Sequence, residues 1–177
     1  IFPAGFGWQA ASCIADAPAD SLNFALTTGA GDAAGVFIGH GIYTFLKVAL
    51  TGKANIYNDT VTGLWLASAA MCSGTAWQPT VNMLHDTMGC NFVQTAVGCG
   101  AVTGACFMGG LRLGRVIYSP LGLPGVDGDN FKKDALLSAS IGAATGTFVG
   151  TDISFADNVM LPLFGVTDSM SDVEGMF

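Results

Sequence analysis

Few side chains in this 177-residue sequence could do chemistry, and most lie in apolar surroundings. Asp32 stands ten positions into an otherwise uncharged run from Ser21 to Leu46. A carboxylate that deep in a membrane helix costs at least ~2.5–3.5 kcal/mol unless it faces protein, is protonated or has a partner. It could serve as a proton or cation site, or touch another subunit. It could equally be a neutral acid bonded to a neighbouring helix backbone. His40 lies on the same run, and its ring could ligate chlorophyll magnesium or haem iron, or bond to an adjacent helix. Asp32 and His40 are ~12 Å apart along a helix axis, at ~1.5 Å per residue, too far to act on each other. Gln78, Asn82, His85, Asn91 and Gln94 cluster in sequence around one turn. Such amide and imidazole groups can hold pigment magnesium, or they can bond between helices.

No catalytic signature accompanies them. The sequence has no GxSxG, P-loop, HExxH or dinucleotide fingerprint. The cysteines (13, 72, 90, 99 and 106) form no CxxC and no zinc spacing. Cys72, Cys99 and Cys106 read as small packing residues, while the topology permits Cys13 to pair with Cys90. We expect a non-enzymatic protein with no metal centre formed by its own cysteines and histidines.

The elements that must position these groups are membrane spans. Charged residues make up 11% of the chain against about 25% in soluble domains, and 51% of residues are hydrophobic. Intrinsic disorder is excluded. A net charge of −7 argues against a nucleic-acid partner. Apolar runs near 22–47, 60–84, 88–111 and 134–151 are each close to the ~17–25 residues a bilayer crossing requires. Threaded up and down, they place Lys47, Lys53, Arg112, Arg115, Lys132 and Lys133 on one side of the lipid bilayer. The other side has no Lys or Arg, and both termini lie there. The positive-inside rule assigns the basic side to cytosol, stroma or matrix. Tyr43, Tyr57 and Tyr118 fall near the basic ends, as interfacial rings should.

The expected fold is all-α, an integral-membrane four-helix bundle of up-down topology over residues 21–151. Residues 1–20 are expected to form an interfacial segment, and 152–177 an acidic tail. The apolar stretch Val159 to Val166 in that tail is too short to cross, and would lie flat or dock on a partner. Small residues recur at four-residue steps: Gly31, Gly35 and Gly39 in the first span, Gly100 and Gly104 in the third, Gly142, Gly146 and Gly150 in the fourth. Such faces let helix backbones approach closely, which drives association in lipid. The first and fourth spans also match at Leu26/Leu137, Phe37/Phe148 and Ile42/Ile153, all at one offset. Because those spans run in opposite directions, any duplication would be inverted.

In its few lysines, abundant Gly and Ala, acidic side and Asn, Gln and His at span ends, the chain resembles the small accessory subunits of algal photosystem–antenna assemblies. That resemblance implies a non-catalytic thylakoid protein whose partners are other membrane-protein subunits, with chlorophyll and carotenoid as possible cofactors. In its topology and in residues Phe24 to Lys47 it also resembles the four-helix inner-membrane translocases of mitochondrial import, which implies a channel or translocase role. The arginine-bearing motif of that family has no counterpart here, since Thr60 to Leu111 contains no Arg or Lys. A small transporter using Asp32 is the rival reading.

Overall fold

The computed structural model describes residues 2–53, 55–122 and 131–155, with side chains described for 3–53, 55–122 and 131–147. Among these residues there are five α-helices and no strands: α1 (Phe2–Ile14), α2 (Leu22–Thr51), α3 (Ile56–Val81), α4 (Phe92–Tyr118) and α5 (Phe131–Phe155). Two helical stretches, Leu22–Thr51 and Phe92–Leu121, are long and apolar enough to cross a membrane. The other long helices are diluted by Thr, Ser, Asn and Gly.

Helix ends follow local chemistry. Ser21 caps α2, its hydroxyl accepting from the Phe24 N–H. At the far end Gly52 adopts φ 66° and its N–H donates to the Val48 carbonyl, a left-handed stop that suits glycine. The connection between α3 and α4, around which Gln78 to Gln94 cluster, is more than a simple turn. Pro79 lies in the last turns of α3, and one turn of π-helix, Asn82–Thr87, prolongs the chain beyond Val81. Gly89 (φ 65°) then reverses it. A reciprocal capping box starts α4: Asn91 accepts from the Gln94 N–H, and Gln94 accepts from the Asn91 N–H, both at 3.0 Å.

The substantial helix contacts are α1 with α2, α2 with α3, α3 with α4, and α4 with α5. Each pair is consecutive in sequence, and the register is antiparallel, as where Gly104 meets Ser138 while Gly100 meets Gly146. In a closed four-helix bundle α2 and α5 would also pack together, and among the described residues they share no substantial contact. They flank the central α3–α4 pair, where Ala69, Ala70, Phe107 and Leu111 form the core, with Val36 and Ile141 against it.

The expected interfacial segment at residues 1–20 contains a helix that lies along α2. Pro3 covers Gly35 and Gly39, Gly7 covers Gly31 and Gly35, and Ala11 meets Gly31. The groove of the first span therefore holds α1, not another span. Trp8 anchors this hairpin, edge-on to Phe24 and tilted on Trp77 of α3, each at 6.4 Å.

The α4–α5 hairpin packs in the same register. Ala96 meets Gly146, Gly100 meets Gly142 and Gly146, and Gly104 meets Ser138 and Gly142. Pro3, Gly7 and Ala11 correspond to Ala96, Gly100 and Gly104. Gly31 and Gly35 correspond to Gly142 and Gly146 at the offset that also aligns Leu26 with Leu137. Gly150 extends the series within α5, but its side-chain environment lies outside the described residues. The two hairpins share one packing scheme and run in opposite senses.

Candidate functional site

The distribution of side chains is that of a protein turned outward. Phe45, Leu50, Leu22, Ile38 and Ile42 of α2 are exposed, as are Val97, Val116 and Ile117 of α4. Only 6% of the most apolar window of α2 is buried, whereas the core helix of a soluble protein would be mostly enclosed. Exposed apolar area on this scale marks a membrane or partner surface. The interior holds Thr28, Ser73, Thr95, Thr103 and Ser138. Their hydroxyls mostly bond back to the preceding turn, as from Thr28 to the Phe24 carbonyl (2.9 Å) and Thr103 to Cys99 (2.7 Å). Small side chains, most of them bonded to their own helix, permit the close helix approach on which association in lipid depends.

The sequence-derived polar candidates fall into separate places. Asp32 faces α3: a Cβ built on Gly74 would come within 2.8 Å of the Asp32 Cβ and 2.9 Å of its Oδ2. His40 faces α3 one level further along, its Cδ2 over Gly63. Its Nε2 is enclosed with no hydrogen-bond partner among the described residues, as is the Thr44 Oγ1 one turn on. A macrocycle reaching that nitrogen would have to part α2 from α3. Gln78 is buried and its Nε2 donates to the Asn82 Oδ1 at 2.8 Å. The side-chain oxygens of Asn91 and Gln94 are engaged in the α4 cap. His85 is half-buried, as is Asn82, while Asn91 and Gln94 are exposed, and no hydrogen bond to the His85 ring is found among the described residues. Cys13 and Cys90, whose pairing the topology permits, are free thiols.

The cluster that sequence reasoning missed lies at the opposite end. Asp134, assigned to a span edge, is buried on the first turn of α5. Arg115 of α4 grips it with two bonds, Nε to Oδ2 at 2.8 Å and a terminal nitrogen to Oδ1 at 2.6 Å. Arg112 adds a longer contact at 3.7 Å. The Arg115 guanidinium stacks over Trp65 of α3, 4.7 Å from the ring centre. The Trp65 Nε1 donates to the Leu111 carbonyl at 2.8 Å. Three helices are thus tied by one bidentate ion pair. Nearby, Tyr118 and Ser68 share a hydrogen bond (2.9 Å), and the Tyr57 hydroxyl donates to the Leu121 carbonyl. Lys47 pairs with Asp59 across α2 and α3 at 3.2 Å. The signal in the sequence was the four-residue step from Asp134 to Ser138 on the glycine face of α5.

Together the sites offer helix-to-helix adhesion: two glycine-packed hairpins, a central pair, and an ionic knot at the basic end. Comparison of the chain with protein-family models, curated proteins and solved structures found no match.

Proposed function

We propose that this protein is a non-catalytic accessory subunit of a large organellar membrane complex, with α2, α3, α4 and α5 crossing the bilayer. The observation that carries this reading is the outward-facing apolar surface around a small-residue interior. In water such an arrangement would aggregate; in lipid it is the stable one. Charge placement supports the topology. The contacts Lys47–Asp59 and Arg115–Asp134 join the basic ends of α2 to α3 and of α4 to α5, and the positive-inside rule would turn those ends toward stroma or matrix. The compositional resemblance favours a photosystem–antenna assembly in a thylakoid, over the mitochondrial inner membrane. For pigment, His85 is the best-placed ligand of the polar group, because the oxygens of Asn82, Asn91 and Gln94 already accept hydrogen bonds. The protein is expected to stay in the membrane pellet after alkaline carbonate washing and to co-migrate with a multi-subunit complex in mild detergent. Release by carbonate would refute membrane integration, and migration alone would refute the accessory role.

A second reading is favoured by the two inverted hairpins and by Asp32 at the α2–α3 contact. Inverted repeats and an intramembrane carboxylate recur in small transporters. Purified protein in liposomes would then carry a proton or cation flux that Asp32→Asn reduces by at least tenfold. Absence of flux in the wild type disposes of this reading.

A further inference from the structure

Trp8 Nε1, His40 Nε2, Thr44 Oγ1 and Ser138 Oγ are enclosed and have no hydrogen-bond partner among the described residues. Trp8 on α1 and Ser138 on α5 each stand alone. His40 and Thr44 are four residues apart on α2 and so share one face, the face that meets α3. Gly63 of α3 makes room for the imidazole there: a Cβ on it would lie 3.0 Å from the His40 Cδ2 and 3.3 Å from the Phe37 ring. Beyond Thr44, Lys47 crosses the same seam to Asp59 at 3.2 Å. His40, Thr44 and the Lys47–Asp59 pair therefore form a polar file leading from the seam to the basic end of α2. In the other direction the file stops. Val36, one turn before His40, packs against the core of Ala69, Ala70, Phe107 and Leu111, between His40 and Asp32.

Thr44 is the telling member. In an apolar helix a threonine ordinarily bonds its hydroxyl to the carbonyl one turn back, as Thr28, Thr62 and Thr103 do at 2.9, 2.8 and 2.7 Å. Thr44 makes no such bond to His40, so its hydroxyl serves a group outside its own helix. Enclosed polar atoms must be satisfied, above all where lipid surrounds the helices. One water molecule satisfies both atoms, because it donates and accepts and needs two to four polar partners. Few titratable groups face the imidazole. On α2 the Tyr43 ring lies 5.9 Å away, centre to centre, with Lys47 two turns on. From α3 comes Asp59, and α1, which reaches Gly39 through Pro3, brings none at this level among the described residues.

We propose that the α2–α3 seam binds water between His40 Nε2 and Thr44 Oγ1, and that through this water His40 exchanges a proton with the basic side of the membrane alone. A proton arriving from the Lys47–Asp59 end makes the water a hydronium ion. One of its O–H bonds breaks as the Nε2–H bond forms, leaving neutral water and an imidazolium ring, and release runs in reverse. The Thr44 hydroxyl holds the water in line with Nε2. Val36 and the core behind it separate this proton from Asp32, so the site stores a proton and does not conduct one. This inference rests on the bilayer crossing of α2 and α3, and assigns His40 a ligand that neither reading of the function requires.

The chain has two histidines, His40 and His85, which makes nuclear magnetic resonance of isotope-labelled imidazole nitrogens a direct test. The full chain is reconstituted in one orientation in phospholipid vesicles, and each compartment is set separately between about pH 5 and 8, where histidine ordinarily changes charge. His40→Gln and His85→Gln assign the two signals. The expected result is that the His40 signal follows the pH of the basic side and the His85 signal that of the acidic side. A His40 signal that follows the acidic side, or neither side, would overturn the proposal. In a second arm, Thr44→Val keeps the side-chain shape and removes the hydroxyl. It should slow exchange of the His40 ring hydrogen with deuterium oxide on the basic side by roughly tenfold or more, and Thr44→Ser should keep the wild-type rate, because the hydroxyl that holds the water is then present. Equal rates in Thr44→Val and the wild type would also overturn it. If His85 follows the acidic side and His40 neither, the water site is wrong and the membrane topology stands. If both histidines answer to one compartment, the four-span topology fails and the inference fails with it.

Discussion

Asp134→Ala is expected to cost ~3–5 kcal/mol of stability, the range for removing one partner of a buried ion pair. A native fold is stable by only ~5–15 kcal/mol, so this single change should bring the protein near unfolding. The reason is what it leaves behind. The Arg115 side chain is 11% exposed and Asp134 3%, and Arg115 is held flat against Trp65. Without the carboxylate, the permanently charged guanidinium loses its bidentate partner in a site where it is 11% exposed. Arg112, at 3.7 Å from the same carboxylate, adds repulsion. Asp59→Ala makes the contrast. Its partner Lys47 is 35% exposed and can turn to water or lipid headgroups, so the loss should stay under about 1 kcal/mol. Arg115→Met combined with Asp134→Ala should recover much of the stability, because the buried cation is then removed together with its bidentate carboxylate. Denaturant titration in detergent micelles measures all four proteins. An Asp134→Ala loss within 1 kcal/mol of that of Asp59→Ala would show that the pair is solvated.

What the sequence reveals and what it hides divide along physical lines. Long uncharged runs announce helices, and α2, α3, α4 and α5 fall close to those runs. Charge counting groups Lys47 and Arg115 at span ends, and there each pairs with an aspartate of the next helix, Asp59 and Asp134. The glycine steps announce close contacts, and Gly100 with Gly142 makes one. Hidden was the partner of each groove. Gly31, Gly35 and Gly39 specify that a backbone approaches, not which one, and α1 proved to be that helix. Its Gly5 and Gly7, with Pro3, have low helix propensity and obscured it; docking into the groove compensates. Asp134 was hidden for a different reason. A charged residue beside Lys132 and Lys133 reads as a loop, and only the four-residue spacing to Ser138 and Gly142 puts it on the buried face. The amides of Asn91 and Gln94 looked like ligands because a capping box and a pigment rim use the same residue types. The difference lies in where the oxygens point.

Gly100→Leu is expected to separate α4 from α5 and abolish the folded state, while Gly109→Leu on the same helix is tolerated. A Cβ on Gly100 would lie 2.6 Å from the Gly142 carbonyl oxygen, whereas a Cβ on Gly109 meets nothing within 4 Å. The obstacle at Gly100 is backbone, which cannot rotate aside, so even Gly100→Ala should cost ~1–3 kcal/mol of overpacking. Gly109→Ala should instead gain about 0.5–1 kcal/mol, because glycine is a poor helix former and the site is open. The contact is reciprocal: a Cβ on Gly142 would strike the Gly100 carbonyl. Once Gly100→Ala has pushed the helices apart, Gly142→Ala should cost little more, making the pair less than additive. The shared register carries this to the other hairpin, where Gly7 and Gly31 meet in the same reciprocal way. Gly31→Ala should therefore resemble Gly142→Ala in its own cost, and should add to it almost fully, because the hairpins share no substantial contact among the described residues. Thermal unfolding of the single and double variants in one detergent measures both relations. Additive losses at Gly100 and Gly142 would show that the two glycines do not share one contact, and coupling between Gly31 and Gly142 would show that the hairpins are not separate units.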